Sequence, residues 1–239
     1  MIIGIAGTAG SGKSTVADHL VAEHGFIAVN LADPIKRFCR DVFDFSEEQL
    51  WGPSEKRNEP DKRYLRWMAN IPHMLTEDAK KEFQEGKVPQ YLTPRHALQQ
   101  LGTEWGRACY ENVWVDYALR VASQILKKDY RVNQAVNTYH AHTGLRFSDT
   151  PYVPGLTLWP NGVVIPDVRF KNEVDAITKA GGKIWRVHRK AAGLAGAAGQ
   201  HQSEQELDTI PAEQFSIQIY NDGTLDELYS MIDKSIPRT

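Results

Sequence analysis

Cysteine is scarce in this sequence: two residues, Cys39 and Cys109, among 239. They stand far apart, fit no metal-ligand spacing, and are expected as free thiols in a reducing compartment rather than as a disulfide. Long apolar runs are missing, and none approaches the roughly 18 residues that a membrane helix requires. The opening Met1-Ile2-Ile3-Gly4-Ile5-Ala6 has no basic stretch and reaches glycine too soon for a secretory leader. A cytoplasmic protein without a membrane partner is the expectation. An excess of charge of one sign is also absent. The net charge of −2 provides no bulk field for holding nucleic acid, although a local patch stays open. There is no internal repeat, and the one biased stretch is the small-residue run Ala191 to Gly199.

What is present is an ordinary globular mixture, 41% hydrophobic and 24% charged. The length suits one α/β domain with insertions. Residues 1–6 form an apolar run that stops at glycine, which favours a buried strand. Lys13 to His24 then carries Val16, Ala17, Leu20 and Val21 at helical spacing. Phe26 to Leu31, Gly162 to Val168, Lys183 to Val187 and Phe215 to Tyr220 are the further strand candidates. Between them, helices are expected over 35–43, 113–127, 170–180 and 224–236, and from Thr93-Pro94 toward Trp105. Asp33 and Thr93 are read as N-caps before proline, and Thr224 with Glu227 as a capping box. Five strands alternating with helices imply a mostly parallel sheet covered on both faces, in a single domain over 1–239. Residues 44–93, with the turn-rich and charged "WGPSEKRNEPDKRY", read as an inserted subdomain. Residues 130–160 read as a second insertion, in hairpin form.

Gly7-Thr8-Ala9-Gly10-Ser11-Gly12-Lys13-Ser14 matches G-x-x-x-x-G-K-[ST] at every fixed position, between a strand and a helix. Glycines let successive N–H groups turn inward toward phosphate oxygens. The helix that begins at Lys13 points its positive end at the same place. Ala9 through Thr15 are thus the candidate ATP-binding residues, with Lys13 on the β- and γ-phosphates. Ser14 offers a hard oxygen to Mg²⁺. Thr15 divides between local capping and the α-phosphate.

The loop names a phosphoryl donor and leaves the acceptor open. No N-K-x-D base-reading motif is present, and the best apolar strand ends in Asp167-Val168-Arg169 rather than an Asp-Glu pair. An arginine grips phosphate bidentately, while a carboxylate two residues earlier can order Mg²⁺ or a sugar hydroxyl. Lys36, Arg37, Arg95, Arg107, Arg186 and Arg189 recur after strands and around "TPRHALQQLGTEWGR", as phosphoryl transfer asks of its surroundings. Residues 189–206, glycine- and alanine-rich before "HQSE", read as a lid that excludes water, with Ser203 capping a helix over 204–207. Three classes stay open on residues alone: a deoxynucleotide kinase; a kinase of another phosphorylated metabolite such as dephospho-coenzyme A or phosphomevalonate; and a nucleic-acid-binding ATPase. The last would use the charged 54–66 segment and the aromatics Tyr64, Trp67 and Tyr139.

The blocks "GTAGSGKST", "LADPIKRF", "WGPSEKRN", "TPRHALQQLGTEWGR", "PDVRFKNE" and "HQSE" fall in order over roughly residues 1–222. In them the chain resembles the deoxynucleoside monophosphate kinases of tailed bacteriophages. The resemblance implies a P-loop NTPase core like that of adenylate kinase, with inserted monophosphate-binding and lid segments. It implies transfer of the γ-phosphoryl group of ATP to a deoxynucleoside monophosphate, with Mg²⁺, in a host cytoplasm and in support of DNA synthesis. By it, Asp33, Lys36, Arg95, Gln99, Arg107, Asp167 and Arg169 face the monophosphate. Arg186 or Arg189 touches the transferring group, and Ser14 and Asp167 serve the metal. No stable nucleic-acid partner follows from it, and monomer or homodimer stays open.

Overall fold

The computed structural model describes residues 1–66, 77–85, 90–127, 160–190 and 202–236. The expected insertion at 130–160 and most of the expected lid, with His201, lie outside the described residues, as do Trp67 and Tyr139. The chain divides into two compact units. The described part of the first consists of residues 1–31, 110–127, 160–190 and 202–236; that of the second, of residues 32–66, 77–85 and 90–109.

The first unit begins with β1 (Ile2–Ala6), α1 (Lys13–His24) and β2 (Phe26–Ala28). The second unit holds α2 (Asp33–Phe43), α3 (Glu47–Trp51), β3 (Asp61–Leu65), α4 (Glu77–Gln84), β4 (Tyr91–Leu92) and α5 (Pro94–Gln99). The first unit resumes with α6 (Val113–Leu126), β5 (Gly162–Val168), α7 (Lys171–Lys179) and β6 (Lys183–His188). It closes with α8 (Gln202–Thr209), β7 (Ile217–Tyr220) and α9 (Leu225–Ser235).

In the first unit the sheet order is β2-β5-β1-β6-β7 and every pairing is parallel. The strands are short and apolar because both faces are covered. Successive residues therefore divide between two cores. Val163 and Ile165 join Ala118, Val121 and Ala122 of α6 and Val174 and Ile177 of α7. Val164, with Ile3, Ile5 and Trp185, joins Val16, Ala17 and Leu20 of α1 and Leu228 and Ile232 of α9. Each fully buried Leu or Ile here contributes about 1.5–3 kcal/mol. At Gly4 a Cβ would meet the Ile184, Ile177 and Val168 side chains at 2.8–3.2 Å, so a larger residue there would push those side chains aside.

The second unit has its own two-stranded antiparallel sheet, β3 with β4. A capping box at Ser46 and Gln49 starts α3. The charges of 54–66 are largely paired within the unit: Arg63 with Asp61 and Asp44, Lys56 with Glu48 and Glu59. Tyr64 sets its ring edge-on to Phe43 and Phe45 and donates its hydroxyl to the Phe43 carbonyl, so this aromatic is spent on packing.

Three local expectations change. The strand expected over 26–31 ends at Ala28. Asp33 is the first helical residue rather than the N-cap, which is Ala32 with no side-chain cap. The helix of "HQSE" spans Gln202–Thr209, so Ser203 lies within it rather than before it. Thr93 does cap α5, accepting from the His96 N–H at 3.2 Å, and Thr224 accepts from the Glu227 N–H at the head of α9.

Candidate functional site

The glycine-rich loop of residues 7–12 leaves β1 at the carboxyl edge of the sheet, where parallel α/β folds place their ligands. Gly10 and Gly12 hold φ of 76° and 102°, and Gly12 is the N-cap of α1. A side chain at Gly12 would collide with the Asn221 amide. Asn221, just after β7, donates from Nδ2 to the Ser11 carbonyl at 2.9 Å and from its backbone N–H to the His188 carbonyl at 2.7 Å. It ties the loop to the far side of the sheet. Ser11 Oγ is buried and has no hydrogen-bond partner among the described residues, an unsatisfied polar atom inside the loop. Ser14, at the second position of α1, is exposed.

Lys13 is buried at 8% exposure. Its ammonium donates to the Gly7 and Thr8 carbonyls at 2.7 and 2.8 Å and lies 3.5 Å from Asp167 Oδ1. The placement of Asp167 comes from a break in pairing. Gly4 pairs with Ile165 but Ala6 with Val168, so β5 carries an extra residue at Pro166-Asp167. Proline, which lacks an N–H, suits such a bulge. Asp167 takes φ 63°, a left-handed conformation that aspartate tolerates better than most residues. Its Oδ1 also accepts from Arg169 Nε at 2.9 Å. Buried Glu173 then fixes the turn, its Oε2 accepting from the Arg169 and Phe170 N–H groups at 2.8 and 3.2 Å.

Arg186 and Arg189 line a cavity of about 290 Å³ with Thr8, His188, Tyr220 and Asp222. Arg186 pairs with Asp208 and lies over the Phe215 ring at 5.0 Å. Arg189 is exposed. His188 and Tyr220 stack at 4.9 Å on adjoining strands.

The remaining predicted residues belong to the second unit. Asp33 is buried and accepts from Trp51 Nε1 at 3.4 Å, and the Lys36 ammonium sits 5.5 Å over the Trp51 ring. Arg95 is held by Asn58 and by the Ser54 hydroxyl at 2.7 Å. Gln99 is exposed at the end of α5, which runs on into a π-helical stretch, Gln100–Arg107. Wider turns of this kind frequently mark functional positions. Gly102 faces Ile35, where a Cβ would come to 3.1 Å.

Sequence reasoning missed Asn221, Glu173 and His96. Glu173 had a readable signal, an acid at the third helical position after a strand. His96 accepts from Arg66 at 3.2 Å, and burial with the Arg66 charge lowers its pKa. Nothing local in sequence announces that pair, separated by 30 residues.

No family model matches the chain. A protein of Acanthamoeba polyphaga mimivirus, provisionally named a deoxynucleotide monophosphate kinase, is 30% identical over 232 residues. The match covers 97% of this chain and 94% of the viral one. Among solved structures, TT1252 from Thermus thermophilus covers 98% of this chain and 95% of its own at 17% identity, with a TM-score of 0.41. The 30% identity to the viral protein, sustained along almost the whole chain, places this protein in the deoxynucleotide monophosphate kinase family, as a nucleotide kinase with an α/β core.

Proposed function

We propose that the protein transfers the γ-phosphoryl group of ATP to a deoxynucleoside 5′-monophosphate, giving the diphosphate and ADP. The observation that carries this reading is the meeting of Lys13, Asp167 and Arg169 beside the phosphate loop. A buried lysine for the donor phosphates, a carboxylate and an arginine converge there. Ala9 to Thr15 bind the triphosphate. Ser14 and Asp167 fit Mg²⁺, since both present hard oxygens at exposed positions. When bound, the metal neutralises phosphate charge. Lys13 and Arg169 then stabilise the negative charge that gathers on the transferring group, with Arg186 and Arg189 adding theirs. An anionic acceptor needs no strong base. Asp33, Lys36, Arg95, Gln99 and Arg107 serve the monophosphate, Gln99 suiting a base edge because an amide both donates and accepts.

ADP release from MgATP, measured across the deoxynucleoside monophosphates, dephospho-coenzyme A and phosphomevalonate, tests this. Stimulation by at least one deoxynucleotide is expected. Stimulation by none of them, or only by one of the other two compounds, overturns the reading.

A further inference from the structure

At the opposite end of α1 from the phosphate loop, three metal-ligating side chains converge. His19 Nε2 lies 2.7 Å from Asp233 Oδ1 and His24 Nε2 lies 2.8 Å from the same oxygen. All three ligand atoms fall within 4.8 Å of one another. Two helices build the cluster. His19 and His24 come from α1, and Asp233 comes from α9, which packs on α1 through the shared core of Leu20, Leu228 and Ile232.

The cluster is held in place. The His19 ring stacks on Tyr229 at 4.1 Å and 10°, and Tyr229 stands four residues before Asp233 on the same face of α9. The His24 ring meets His19 edge-on at 5.4 Å. The His19 side chain is 8% exposed, the Asp233 side chain 53%. One ligand is thus fixed inside, and one side of the cluster opens to water. Rise along α1 sets His24 about 16 Å from Lys13, too far to touch the transferred phosphate.

We propose that His19, His24 and Asp233 form a Zn²⁺ site that clips α9 to the phosphate-loop helix. Two imidazoles and a carboxylate, with water completing a tetrahedron, are a donor set that zinc accepts and Mg²⁺ does not favour. Neutral histidines supply the lone pairs. Binding takes each histidine with its Nε2 lone pair free toward the ion and its remaining proton on Nδ1. The donors lie slightly closer together than metal ligands do, and they spread by a few tenths of an ångström around the ion. The two protonless donors and the single carboxylate leave the bound site with one net positive charge. The role is structural: the ion joins the last helix to the helix that carries the donor-phosphate lysine.

Zinc alone, titrated calorimetrically into the metal-stripped full chain without nucleotide, tests the site. One Zn²⁺ per chain is expected, with a rise in melting temperature. His24→Gln and Asp233→Asn, both at partly exposed positions, should each weaken binding by more than the roughly tenfold at which loss of an outer-shell partner begins to tell. Each should also abolish the thermal shift while leaving zinc-free phosphoryl transfer unchanged. No zinc binding by the wild-type chain overturns the proposal. So does binding that persists unweakened in both variants, which would transfer the ion to Cys109 or Asp167.

Discussion

Asp167 Oδ1 stands 3.5 Å from Lys13 Nζ and 2.9 Å from Arg169 Nε, so a single carboxylate oxygen faces two cations. Lys13 in turn is folded back on the Gly7 and Thr8 carbonyls. Lys13→Ala should lower turnover roughly 10²–10³-fold, the usual cost of removing one fixed donor to developing charge. ADP release, with circular dichroism to confirm folding, checks it. Near-wild-type turnover in a folded variant would remove the lysine from the chemistry.

The bulge makes Asp167 a backbone position as well as a chemical one. At φ 63° asparagine is tolerated and a β-branched residue is not. Asp167→Asn should leave urea stability within about 0.5 kcal/mol and still depress activity. Asp167→Val should lose about 1–3 kcal/mol. Equal stability of the two variants would show that the bulge relaxes at no cost.

Asn221 grips the loop through the Ser11 carbonyl. Asn221→Ala removes that bond and should cost about 1 kcal/mol. It should also raise the Michaelis constant for ATP more than it lowers turnover, because the loop loses its tether rather than its lysine. A change in turnover alone would argue against the tether. Gly12→Ala should abolish triphosphate binding, since a methyl group there meets the Asn221 amide in a left-handed backbone.

In the second unit the Arg63 guanidinium, helped by the Arg63 N–H and Gln49, holds the Asp61 carboxyl down at about 2. A carboxyl depressed in the folded state adds stability above its unfolded value of about 4. That contribution disappears as pH falls through the folded value. The melting temperature should therefore decline from about pH 4 toward pH 2, and Asp61→Asn should flatten that part of the profile. An unchanged profile would exclude this pair as a source of acid sensitivity.

Burial pushes the Cys39 thiol up to about 11, while Cys109 is exposed. Under native, mildly alkaline conditions one thiol should react quickly with an aromatic disulfide reagent. The second should react only on unfolding. Two fast thiols would mean that α2 opens readily.

The glycine-rich loop after β1, that strand and α1 were legible in the sequence because everything they need is local. Glycine spacing, helix periodicity and the apolar run lie within 24 residues, and α1 begins and ends where its pattern does. The strands β5 and β6 and the caps at Thr93 and Thr224 are of the same kind. Asp33 was misread as a cap because Asp-Pro has that local signature, while its carboxylate is buried against Trp51.

The sequence by itself determined the glycine-rich loop motif after the first strand and the alternation of strands and helices. Both follow from residue types at short, fixed spacing. Only the tertiary structure decided the strand order, the bulge that brings Asp167 to Lys13, the Asn221 tether and the convergence of His19, His24 and Asp233. Those depend on which distant segments share a sheet edge or a helix pair. That is settled by the burial of two apolar faces of one sheet, which no short stretch of chain encodes.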